Sequence, residues 1–181
     1  MSRINQVDPA AAEGKAQELL GVVKKKLGAA INITRVMANQ PAVLEGYLNL
    51  SGAIAGGAFS PKTREAISLA LAGANGCEYC ASAHTFISGS LKVDADEISR
   101  QIRGEASDAR IQAIVTLARA INEKRGKVSD ADLQAARDAG LTDADIVETV
   151  GNVAQNVLTN YINNVAQTDI DFPVVRLDQA A

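Results

Sequence analysis

The chain has 181 residues, of which 47% are apolar, 22% charged and 3% aromatic, with no tryptophan and a net charge of −3 at neutral pH. This length supports a real core of one domain, or two small ones, and the scarcity of aromatics beside abundant alanine favours closely packed helices over a β-sandwich. Mild acidity argues against nucleic acid or an anionic membrane as partner. No run of about 18 apolar residues exists to span a bilayer.

Residues 1–10 are polar and end in Asp8-Pro9, which does not read as a signal peptide. Asp8-Pro9 instead predicts an N-cap and N1 proline for a helix running to Leu27 and closed by Gly28. Lys24-Lys25-Lys26, within it, reads as a solvated face. A short helical piece is expected over 33–38, and Gln40-Pro41 starts another helix that ends at Gly56-Gly57. Ser60-Pro61 caps the next, over 61–75, whose Ala66, Ile67, Leu69, Ala70, Leu71, Ala72 and Ala74 make it apolar nearly all round and hence central. Asn75-Gly76 breaks it, and a cysteine-bearing helix follows to Ser88. Further helices are expected over 94–101, 108–123 and 129–139, with a long final one after Thr142. Three Asp-Ala-Asp triplets, at 94–96, 130–132 and 143–145, place anionic side chains in first turns, where the helix dipole favours them. The expected fold is all-α: a multi-helix bundle formed by a single domain over 1–181.

The final helix has no charged residue from Thr149 to Thr168. Val153, Val157, Tyr161 and Val165 form one stripe, and Asn152, Asn156, Asn160, Asn163 and Asn164 much of another. An amide-rich, uncharged face fits a buried polar interface. The helix is therefore expected at a subunit interface, with the apolar tail Phe172-Pro173-Val174-Val175 packed on a neighbouring chain.

Both cysteines and the only histidine fall in one stretch, Cys77-Glu78-Tyr79-Cys80-Ala81-Ser82-Ala83-His84. Residues at i, i+3 and i+7 share a helix face, and Cα atoms at i and i+3 lie about 5 Å apart, within disulfide range. Cys77 falls at the helix start, where free N–H groups stabilise a thiolate. His84 lies one turn beyond Cys80, in reach of its sulfur directly or through a water. If the helices on either side of Asn75-Gly76 pack antiparallel, Glu65 comes level with His84, and carboxylate, imidazole and thiol line up as in an activated cysteine. Zinc is the rival reading, with Cys77, Cys80, His84 and Glu65 as ligands. Structural zinc sites draw ligand pairs from separate segments, and no second CxxC or HxxxH exists, so no metal or organic cofactor is expected. Tyr47, Tyr79 and Tyr161 read as packing residues.

Glu65, eleven intervening residues, Cys77-x-x-Cys80 and x-x-x-His84 resemble the alkylhydroperoxidase D branch of the carboxymuconolactone decarboxylase superfamily. The segments Asn160-Tyr161-Ile162-Asn163-Asn164 and Asp171-Phe172-Pro173 also resemble members of that superfamily. The resemblance implies an antioxidant thiol peroxidase that acts on a hydroperoxide and is recharged by a thiol or dithiol reductant. It implies Cys80 as the attacking thiolate, Cys77 as the resolving thiol, and Glu65 with His84 as the proton relay. It also implies a homo-oligomer, a trimer or hexamer, while two cysteines three apart with no export signal point to the cytoplasm. Tyr79 stands where alkylhydroperoxidase D has a histidine. The helix dipole by itself favours Cys77 as the more acidic thiol; the neighbouring His84 and the resemblance favour Cys80, which is the expected nucleophile. A disulfide oxidoreductase or redox sensor using the same pair, and a non-redox lyase on the same fold, are the alternative functions.

Overall fold

The computed structural model describes residues 2–177; Met1 and residues 178–181 of the expected single domain lie outside them. Nine helices and no strand occur among the described residues: α1 (Gly14–Leu27), α2 (Asn32–Met37), α3 (Pro41–Ala55), α4 (Pro61–Ala74), α5 (Glu78–Ser90), α6 (Ala95–Arg103), α7 (Ala109–Glu123), α8 (Asp130–Asp138) and α9 (Asp143–Ala166). None is long and apolar enough to cross a membrane.

Helix α4 is the hub. Ser60 Oγ accepts from Thr63 N at 3.1 Å and Pro61 fills N1, so the start is capped as the sequence predicts. Ile67, Leu69 and Leu71 are fully buried, and the helix packs against α5, α6, α7 and α9. The α4–α6 crossing depends on Gly73: a Cβ there would stand 2.1 Å from the Ile102 carbonyl oxygen. Gly76, at φ 62°, then turns the chain sharply into α5, a conformation that a side chain disfavours. The turn at Gly76 lays α5 beside α4, and that placement builds the site.

The first helix begins later than expected. Asp8 accepts from Ala10 N through its side chain (3.0 Å) and from Ala11 N through its carbonyl (3.0 Å), which closes a turn. Gly14 then takes φ 55°, so α1 starts there. Capping boxes open α8 at Ser129 and α9 at Thr142, with the third residue of each Asp-Ala-Asp triplet as the partner.

The amide stripe of α9 is buried, but against its own chain. Asn75 Nδ2 donates to Asn160 Oδ1 (2.8 Å) and Asn164 Nδ2 donates to the Asn75 carbonyl (2.8 Å), while Asn122 of α7 donates to Asn75 Oδ1 (2.9 Å). The amides thus satisfy the α4–α5 turn, which explains why they carry no charge: an ion there would be desolvated. The tail also folds back on its own chain, contrary to the expectation of a neighbour. Asp171 accepts from Tyr79 Oη (2.7 Å) and Asn32 N (2.8 Å), and Val175 N donates to Ser82 Oγ (2.9 Å). Phe172 meets Tyr79 edge to face, with centroids 5.8 Å apart, and Arg176 pairs with Glu78. Phe172 and Val175 are thus partly buried against their own chain, while Pro173 and Val174 stay exposed.

Asp145 anchors the start of α9. Its carboxylate accepts from Thr142 N (2.8 Å), Thr142 Oγ1 (2.7 Å) and Arg110 Nη2 (2.8 Å). Burial opposes ionisation, but the Thr142 and Arg110 contacts outweigh it and hold the carboxyl below its ordinary value. The stability this gives is present above the unfolded-state value of about 3.9 and is lost as pH falls through the lower folded value. Asp145→Ala is expected to cost about 1–2 kcal/mol at neutral pH. In urea titrations the gap from wild type should narrow below about pH 4.

Candidate active site

Cys77 is the N-cap of α5, and its sulfur accepts from Cys80 N at 3.2 Å. Cys77 and Cys80 are joined in a disulfide, their Cα atoms 5.3 Å apart. Both are buried, Cys77 completely. The i, i+3 geometry expected from the sequence is therefore realised across the first turn of the helix.

Glu65 projects from α4 and His84 from α5, and Glu65 Oε2 lies 2.8 Å from His84 Nδ1. Their side chains are 14% and 21% exposed, so the pair is partly shielded from water yet not sealed. An ionised carboxylate only accepts, so Nδ1 carries the proton and Nε2 keeps its lone pair. The packing of α4 against α5 thus brings the Glu65 carboxylate onto His84, which shares its helix with Cys80.

Three features of the site escaped the sequence reading. Asn163 of α9, 4% exposed, donates from Nδ2 to Cys80 Sγ at 3.3 Å. Tyr79 is a latch: its hydroxyl donates to Asp171 and accepts from Ile33 N at 3.2 Å. Burial, against the pull of the Ile33 N–H and reinforced by Asp171, pushes its phenol far above the ordinary value, so it stays protonated at neutral pH. Tyr47 of α3, half-buried, is likewise shifted upward, by burial first and then by the Glu65 charge against a hydrogen bond with Ser51. A polar cleft of about 440 Å³ lies beside the cysteine helix, lined by Gly76, Glu78, Tyr79, Asn163, Thr168 and Arg176 among others. Among the described residues no group of three or more His, Cys, Asp and Glu side chains is placed to hold a metal ion.

The family model described as the Carboxymuconolactone decarboxylase family matches residues 41–123, which contain Glu65, both cysteines and His84. No curated protein matches the chain in sequence. Among solved structures, the alkylhydroperoxidase AhpD core of an uncharacterized peroxidase-related protein from Ralstonia eutropha JMP134 superposes with a TM-score of 0.83 at 23% identity, over 94% of this chain and 92% of that one. An uncharacterized peroxidase-related protein from Silicibacter sp. TM1040 gives 0.78 at 20% identity, over 92% and 88%. The debrominase Bmp8, as an alanine variant of a cysteine in complex with 2,3,4-tribromopyrrole, gives 0.76 at 16% identity, over 93% and 91%. At these identities the structural likeness establishes the fold. Residues 41–123 thus match the carboxymuconolactone decarboxylase family model, and the chain as a whole has the alkylhydroperoxidase D-like fold.

Proposed function

We propose that the protein is a thiol peroxidase that reduces organic hydroperoxides through a Cys80–Cys77 dithiol cycle. The observation that carries this reading is a disulfide at the start of α5, with His84 four residues beyond Cys80 on the same helix and held by Glu65 at 2.8 Å. In the reduced protein, His84 Nε2 takes the Cys80 thiol proton, and Glu65 stabilises the imidazolium through Nδ1. The Cys80 thiolate attacks the distal peroxide oxygen. The O–O bond breaks, Cys80 becomes a sulfenic acid, and the departing alkoxide takes a proton from His84 to leave as an alcohol. The Cys77 thiolate then attacks Cys80 Sγ, expelling hydroxide, which leaves as water once protonated. A dithiol reductant returns two electrons and two protons. Steady-state consumption of an organic hydroperoxide with dithiothreitol as donor tests the cycle. Sustained turnover supports it, and no consumption above the dithiothreitol background refutes it.

The fold shared with a debrominase makes a halogenated pyrrole the informative control substrate. Halide release without peroxide consumption would move the function to dehalogenation. Protein disulfide exchange is the remaining redox reading. There the pair oxidises or reduces a partner protein and ignores hydroperoxides.

We also infer that copies of the chain associate through the outer face of α9. Val147, Val150, Tyr161 and Val165 are 70%, 47%, 58% and 64% exposed. With Ala154 and Leu158 they recur every three or four residues, the spacing of a helix–helix seam. Tyr161, Val165 and Leu158 line an apolar groove of about 710 Å³ with Val36 and Val43. The seam from Thr149 onward carries no charge, so two copies meet without repulsion. Tyr161→Glu is expected to shift the mass by light scattering toward the monomer while helical content is kept. An unchanged mass would contradict this interface.

A further inference from the structure

Two thiolates cannot coexist a single helical turn apart, so something must decide which sulfur of the reduced pair carries the charge. The helix N-terminus favours Cys77: it is the N-cap, and its sulfur accepts the Cys80 N–H at 3.2 Å. Left to the backbone alone, the wrong sulfur for the cycle proposed above would be the acidic one. Resting on that cycle's assignment of Cys80 as the attacking thiolate, we propose that Asn163 is the positioning residue that holds Cys80 Sγ as the thiolate. Its Nδ2 lies 3.3 Å from that sulfur. It comes from α9, 83 residues away, and touches the second cysteine through a donor the backbone does not supply.

The surroundings of the amide fit this role. Asn163 is 4% exposed, and its Oδ1 is buried without a hydrogen-bond partner, so the side chain is not kept in place by a bond to its own oxygen. A thiolate only accepts, so it fixes the amide with Nδ2 toward sulfur, and a buried charge–dipole contact of this kind is stronger than one in water. The titratable and charged groups around the site are Cys77 at the N-cap of α5, Glu78, Tyr79, Cys80 and His84 on α5, Glu65 on α4, Tyr47 on α3, and Asp169, Asp171 and Arg176 after α9. α9 brings no charge to it along Thr149 to Thr168, so its contribution is the amide dipole alone. Asn163 also lines the polar cleft beside α5.

The test uses the Cys77→Ser protein, so that the remaining thiol titration belongs to Cys80. Followed by ultraviolet thiolate absorbance, adding Asn163→Leu or Asn163→Ala should raise the apparent Cys80 pKa by about one unit. Alkylation by iodoacetamide near pH 7 should slow about tenfold. An unchanged ionisation in folded variants overturns the inference. Should these variants fail to fold, the side-chain amide resonances of Asn163 are followed by NMR in the Cys77→Ser protein itself. They should move with the Cys80 titration, and resonances that stay fixed across it overturn the inference equally. Neither readout involves a peroxide. An unshifted Cys80 therefore leaves the peroxidase reading standing, and a protein that titrates as expected but ignores hydroperoxides refutes that reading alone.

Discussion

Replacing Cys80 by serine is expected to abolish hydroperoxide consumption outright, whereas Cys77→Ser should complete a single turnover and then stall. The asymmetry follows from the two roles. Without Cys80 no thiolate remains beside His84, and Cys77, fully buried at the helix N-terminus, is left with a backbone donor but no base. Without Cys77 the first step proceeds, but the sulfenic acid on Cys80 meets no resolving thiol, since the chain has only two cysteines. Mass spectrometry should find one added oxygen on the Cys77→Ser protein after a stoichiometric dose. Serine preserves the N-cap at 77, so the fold should survive. If Cys80→Ser still reacts stoichiometrically and Cys77→Ser does not, the roles are reversed.

His84→Ala and Glu65→Gln carry the second largest expected effect, a loss of about 10²–10⁴-fold in the peroxide-reducing step. The two act on the same proton. Removing the imidazole removes the base; removing the Glu65 charge leaves His84 Nδ1 without the anion that stabilises its protonated form. Their effects should therefore be far from additive in the double variant. The wild-type pH–rate profile should show a thiol ionisation below the unperturbed value of about 8.5. Rates unchanged across pH in both variants would remove the relay.

Much of this arrangement was legible in the sequence, for identifiable reasons. Local signals dominate in an all-α chain, so Ser60-Pro61, Asp108, Ser129 and Thr142 mark the helix starts that the structure shows. The Glu65–His84 contact was reachable because only the Asn75-Gly76 turn separates the two helices, and helical rise converts residue counts into heights. Asn163 was not reachable in the same way. Its contact spans 83 residues, and the one signal for it was the uncharged amide face of α9, which read equally well as a subunit interface. Burial of that face was inferred correctly, but its partner proved to be Asn75 and the cysteine helix. The tail misled for a related reason. Phe172 and Val175 need cover, and hydropathy does not say whose; Tyr79, Asp171 and Ser82 supply it from the same chain. The start of α1 moved because Asp8 bonds its own neighbours, a competition that caps and turns share.

The central claim is that one hydroperoxide consumes both thiols of one chain. The direct measurement is an anaerobic titration of fully reduced protein with an organic hydroperoxide, counting free thiols and the alcohol formed. The account predicts two thiols lost and one alcohol produced per hydroperoxide, with a Cys77–Cys80 disulfide inside a single chain as the protein product. Hydroperoxide that survives unchanged beside a fully reduced protein would contradict it, as would alcohol formed while both thiols remain free.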